Sequence, residues 1–159
     1  MPFVYNDQLA TAGNLTCSAT ANAETETCFL KPGTTRSLYL SYIKGSGKNA
    51  AKTQLDSIFI RTRKWGTAST GGTALSIVGT DASVPSTTIT GASRPTSGTT
   101  ATNAGPILGF GTTSWDLWQT ANPNEMISLG ASNAGSISLF DGAATGSLVF
   151  EFSLRHEEH

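Results

Sequence analysis

Apolar and polar residues alternate with a period of two along most of this chain, the spacing that sends successive side chains to opposite faces of a β-strand. In RSLYLSYI (36–43) the alternation puts Leu38, Leu40 and Tyr42 on one face and Tyr39 and Ile43 on the other. A second run, QLDSIFIRTR (54–63), follows after a loop. The clearest is SLVFEFSLR (147–155), in which Leu148, Phe150, Phe152 and Leu154 point inward while Ser147, Glu151, Ser153 and Arg155 meet water. Further strands are predicted at 14–20, 26–30, 73–79, 106–110, 114–119, 125–130 and 135–140. That makes about nine or ten strands, separated by clusters of Gly, Pro, Asn and Asp. No helix-period segment exceeds two turns; NAAK (49–52) is long enough for a single turn. The pattern predicts an all-β, antiparallel β-sandwich, and the strand count suits a jelly roll with long Thr/Ser/Gly-rich loops or arms.

Composition points the same way. The 159 residues weigh 16.5 kDa, the size of one domain, so the chain is read as a single unit over 1–159. Charged residues make up 13% and apolar residues 38%. Thr, Ser and Gly together fill roughly 59 positions, a strong bias. The strong helix formers are scarce, which excludes a coiled coil and argues against a helical bundle. Low charge and 8% aromatic residues do not fit the disorder signature. The one low-complexity region, 66–105, is read as an extended arm that packs on a neighbour or as a surface loop, with a short strand at 74–78. The N-terminal residues 1–13 are a second candidate arm.

Net charge is −1, so no overall basic field points to nucleic acid. The charges are unevenly spread: eight basic residues and one acid, Asp56, lie between Lys31 and Lys64. The start of the chain lacks the basic and apolar regions of a signal peptide, and no apolar stretch reaches membrane-spanning length. The expectation is a protein made and used without standard secretion. Cys17 and Cys28 are then expected as reduced, packed thiols, although a cross-strand disulfide is geometrically open to them.

Chemistry-bearing groups are few. The only histidines, His156 and His159, fall in the terminal HEEH, read as a frayed, solvated tail (156–159). On that reading an interior histidine triad or a buried histidine metal cluster is excluded. Asp56, Asp116, Glu125, Asp141 and Glu151 are the candidates for a carboxylate pair, but each sits beside turn residues or on a polar strand face. GSGKNAAKT (45–53) lacks the spacing of a phosphate loop and joins two strands. No catalytic, cofactor-binding or metal-ligating residue is assigned, and no cofactor is expected.

Binding is better supplied. The strands flanking 45–53 are read as a basic hairpin with Lys44, Lys48 and Lys52 in its loop and Arg61, Arg63 and Lys64 at its end, suited to an acidic protein surface. The aromatic candidates are Trp65, Trp115 and Trp118. Three residues apart in one strand, Trp115 and Trp118 face opposite ways, so one fits the core and the other a rim or subunit contact. Sugar stacking on exposed tryptophans is the alternative from a different class, a carbohydrate-binding module.

LYLSYIKGSGKNAAKTQLDSIFIRTRKWGTASTGGTALSIVGTDAS (38–83), NPNEMISL (122–129) and GSLVFEFSLRHEE (146–158) carry one further signal. In order and composition they resemble small β-sandwich virion proteins of tailed bacteriophages, of the capsid decoration (cement) type. The resemblance implies a non-enzymatic structural protein, a homotrimer seated on the major capsid protein lattice. It places the chain on the virion, at the phage head surface, after assembly in the host cytoplasm. A tail, collar or fibre-base component is the other structural role it allows. No membrane and no direct nucleic-acid partner are implied.

Overall fold

A computed structural model describes residues 1–9, 15–17, 20, 23–48, 57–96, 98–111, 115–143 and 148–159. Twelve strands run through them: β1 (Phe3–Leu9), β2 (Leu15–Thr16), β3 (Thr25–Lys31), β4 (Leu38–Lys48), β5 (Ser57–Thr67), β6 (Thr73–Gly79), β7 (Thr90–Ser93), β8 (Thr99–Gly111), β9 (Trp115–Gln119), β10 (Ile127–Leu129), β11 (Ser136–Ala143) and β12 (Val149–Glu158). They form one hydrogen-bonded path in the order β10-β4-β12-β1-β6-β7-β3-β11-β5-β8, with β2 added to β12 and β9 to β4. Every strand pairing is antiparallel. β8 returns beside β9 and β4, so the sheet nearly closes into a barrel.

The core lies inside this wall. Leu38, Leu40 and Ile43 of β4, Ile58 and Ile60 of β5, Leu139 of β11, and Phe150 and Leu154 of β12 are buried within it. Each such side chain is worth about 1.5–3 kcal/mol when taken out of water. β12 keeps strict alternation along its length, as expected from the sequence as far as Arg155. In β4 the expected faces hold for Leu38, Tyr39 and Leu40. Arg155 pairs with Tyr42 and His156 with Leu40, so Ser41 is an extra residue in β4. This β-bulge reverses the parity: Ile43 turns into the core and Tyr42 turns out, under the Arg155 guanidinium at 5.2 Å. A bulge leaves no mark in a period-two pattern, which explains the misassignment.

Three segments depart from expectation. Residues 3–9 of the expected N-terminal arm form β1, held between β12 and β6. The 66–105 region supplies β6, β7 and the start of β8 to the chain's own wall, because its β-branched Thr and Ile residues pair as strands do. The 156–159 segment is not a frayed tail: β12 runs through Glu158, and His156 and Glu158 are fully buried. The single turn expected at 49–52 lies outside the described residues.

Just before β11, Gly135 sits where a Cβ would strike the Trp65 carbonyl oxygen. Backbone cannot step aside cheaply, so Gly135→Ala is expected to cost about 1–3 kcal/mol. Thermal denaturation should show a clear drop in Tm, whereas Gly130→Ala, with open space around its Cβ, leaves Tm unchanged. Equal Tm values for the two variants would contradict the packing at Gly135.

Candidate functional site

The alternation that fills the core with Phe152 and Leu154 continues to His156 and Glu158, so the end of β12 aims two ionisable side chains into the barrel. His156 Nδ1 lies 2.7 Å from Asp7 Oδ2 of β1, and its Nε2 lies 3.5 Å from Glu158 Oε1. The Tyr5 ring stacks on the imidazole, with centroids 5.0 Å apart and planes 15° from parallel. Glu158 accepts hydrogen bonds from the Thr87 hydroxyl, from Thr88 N–H at 3.1 Å and Thr88 Oγ1 at 2.8 Å, and from Arg36 Nη1 at 3.2 Å. Tyr5 Oη donates to the Pro85 carbonyl at 2.8 Å.

Burial pushes the Glu158 carboxyl up, but the bonds from His156, Thr87 and Thr88 outweigh it and hold the pKa down to about 2. Burial would lower the His156 pKa; its bonds to Asp7 and Glu158 win and raise it above the ordinary 6.5. Asp7 is raised, by burial first, against the pull of His156. The expectation that both histidines lie in a solvated tail therefore fails for His156. The signal was present in the sequence: Phe152, Leu154, His156 and Glu158 share one parity, and the apolar half of that series is unambiguous.

A second buried cluster crosses the opposite half of the wall. Asp141 of β11, read from sequence as a polar-face residue, is fully buried. Thr27 Oγ1 donates to its Oδ2 at 2.6 Å and Arg94 Nη1 at 2.5 Å. Arg94 adopts a left-handed backbone with φ of 50° and donates also to the carbonyls of Thr16 and Glu26. A bulge in the β3–β11 pairing, between Leu139 and Phe140, leaves Thr27 without a cross-strand partner and brings it to Asp141. Cys17 and Cys28 are buried free thiols in the same region. Burial, then Asp141, pushes Cys17 up to about 12, and burial drives Cys28 well above its ordinary value, so neither is a nucleophilic thiolate.

The basic hairpin expected from sequence does not form. β4 pairs with β12, β9 and β10, whereas β5 pairs with β11 and β8, so the two flanking strands belong to separate parts of the wall. Lys44 is half-buried on β4; the Lys48 side chain and Lys52 lie outside the described residues. Arg61 and Arg63 clamp the two carboxylate oxygens of Glu24 at 2.8 and 2.6 Å, and Arg63 also covers the Phe140 ring at 4.8 Å. Lys64 is half-buried and makes no ion pair among the described residues. Trp65 packs on Phe140 and donates Nε1–H to the buried Glu26 at 3.2 Å, which ties it to the wall. Trp118 is half-buried against the core, and the Trp115 side chain lies outside the described residues.

Among the described strand residues, Val78 of β6, Ile107 of β8 and Leu117 of β9 are the large apolar side chains left exposed. Ile107 of β8 is 58% exposed and Leu117 of β9 is 39% exposed, although Leu108 and Trp118 beside them turn inward. Leu117 pairs across β9–β4 with Lys44, and Ile107 across β8–β5 with Arg61. The seam where the barrel closes thus presents two large aliphatic side chains bordered by basic ones. Among the described residues, no group of three or more His, Cys, Asp and Glu could hold a metal ion, and no helix is long and apolar enough to cross a membrane. In comparison with known proteins, no family model, no curated protein and no solved structure matches the chain.

Proposed function

We propose that this chain is a non-enzymatic structural protein of a tailed-phage virion, a capsid decoration (cement) protein that binds and stabilises the head. The observation that carries the reading is the seam at β8 and β9, where Ile107 and Leu117 stand in solvent next to Lys44 and the Glu24-bound Arg61. Exposed aliphatic side chains rimmed by charge fit a surface that another protein covers. The fold reading that goes with it is a jelly-roll-like sandwich, in which the half containing β4, β12 and β1 faces the half containing β3, β11 and β5. The resemblance of 38–83, 122–129 and 146–158 to small virion proteins supports the same role. Trimers seated on a lattice would multiply weak seam contacts through avidity.

Light scattering on the purified protein is expected to give about three times 16.5 kDa, and Leu117→Ser with Ile107→Ser to shift the mass toward the monomer without loss of β-sheet circular dichroism. A monomer whose tryptophan fluorescence changes on adding sugars would overturn the proposal in favour of glycan binding.

A further inference from the structure

We propose that Asp7, His156 and Glu158 form an ionic latch that pins the 85–89 segment across the end of the barrel and releases it when the imidazolium loses its proton. The geometry is that of a clasp. Glu158 receives both the backbone and the hydroxyl of Thr88, together with the Thr87 hydroxyl, and Tyr5 holds the Pro85 carbonyl. Ile89, at the end of this segment, is buried in the core, and its N–H bonds to Thr87 Oγ1 at 3.0 Å. Nothing else among the described polar contacts ties residues 86–88 to the wall except the close approach of the Thr88 carbonyl to Gly33.

The groups around the imidazole set the sign of the response. Asp7 and Tyr5 face it from β1, Glu158 from its own strand, and the apolar Leu40 lies across from it on β4. Arg36 reaches Glu158 and the Tyr5 hydroxyl from the segment before β4, and the neutral Cys28 thiol of β3 lies beyond Asp7. With the proton on, one cation stands between two buried carboxylates. With it off, Arg36 alone faces two negative charges, and it touches only Glu158. Asp7 Oδ1 already lacks a partner among the described residues, so Asp7 depends on the imidazolium.

The pH window follows from the directions of the shifts. His156 is raised, so its contribution to stability is complete below 6.5 and is lost as pH climbs through the higher folded-state value. Asp7, also raised, acts in the same sense: its contribution is complete below 3.8 and is lost as pH climbs through its higher folded-state value. Glu158 is lowered, so its contribution is present above 4.5 and is lost as pH falls through about 2. Above 4.5, where the Glu158 contribution is complete, the latch therefore opens on the alkaline side.

Imidazole nitrogen chemical shifts of the ¹⁵N-labelled full chain test this, with a free histidine peptide at the ordinary 6.5 as the reference. His156 is expected to remain imidazolium at a pH where the peptide is already neutral. Amide exchange protection factors, which divide out the intrinsic effect of pH, are expected to fall at least tenfold at Thr88 and Ile89 as His156 titrates, with Leu139 in β11 unchanged. Glu158→Gln should leave Thr88 poorly protected at every pH and abolish the step. The latch is overturned if His156 titrates at or below the free peptide, if Thr88 protection is the same on both sides of the titration, or if Leu139 falls in parallel with it. Should Glu158→Gln fail to fold, the wild-type titration alone decides.

Discussion

Arg94→Ala is expected to remove about 3–5 kcal/mol from the unfolding free energy, a loss large enough to see directly in a denaturant titration. The reason is asymmetry of burial. Asp141 is fully buried while its partner Arg94 keeps 28% of its side chain exposed, so the guanidinium can leave at little solvation cost and the carboxylate cannot. Alanine would strand a buried negative charge that keeps no cationic partner, only the Thr27 hydroxyl and the Cys17 thiol. The same change deletes the donor to the Thr16 carbonyl, which anchors the short β2 strand. A double-mutant cycle separates charge from packing: Arg94→Ala with Asp141→Asn should lose less than Arg94→Ala alone, because a neutral amide is cheaper to leave buried. A loss below about 1 kcal/mol, the scale of an exposed ion pair, would mean that water reaches Asp141 and that the cluster is not buried as described.

The second large effect is expected at Phe150→Ala. Phe150 is wholly inaccessible on β12, paired with Leu15 of β2 on one side and Gly47 of β4 on the other. Neighbours fixed by ladder hydrogen bonds on both sides cannot collapse into the space a lost ring leaves, so the cost should be about 3–5 kcal/mol. Calorimetry would register it as a Tm lowered by on the order of 10 °C. Val78→Thr, on the outer face of β6, is expected to stay within about 0.5 kcal/mol of wild type. Similar losses at the two sites would contradict the inward and outward faces of β12 and β6. The Arg94 guanidinium stands 5.8 Å from the Phe150 ring, so this variant and Arg94→Ala should not add independently.

Strand after strand was legible in the sequence wherever one face is apolar and the other polar. The runs at 26–30, 73–79, 114–119 and 135–140 correspond to β3, β6, β9 and β11, with ends displaced by a few residues. β7, with the sequence TGAS, was not legible: it is short, small and nearly all buried, so it has no alternation to read. β1 was missed for a related reason, since its inward residues Tyr5 and Asp7 are polar. A carboxylate in a core is a tertiary decision, made possible by His156 arriving from the far end of the chain. The bulges at Ser41 and Thr27 and the separation of β4 from β5 depend on partners that no local pattern specifies. The candidate residues Arg61, Arg63 and Trp65 bind Glu24 and Glu26 within the fold, partners that no local pattern specifies.

The pairing order carries a consequence for biosynthesis. None of the first five strands pairs with another of the five: β1 needs β6 and β12, β2 needs β12, β3 needs β7 and β11, β4 needs β9, β10 and β12, and β5 needs β8 and β11. A ribosome that has made residues 1–67 has therefore made five strands with no final neighbour among them. The wall cannot close until β12 emerges, so folding is slow, dominated by contacts between distant parts of the chain. Until then the nascent strands expose unpaired edges rich in Leu, Ile and Tyr, the kind of surface that aggregates at high expression. Yield from a cell should accordingly depend on chaperone supply and temperature more steeply than the stability of the finished barrel does.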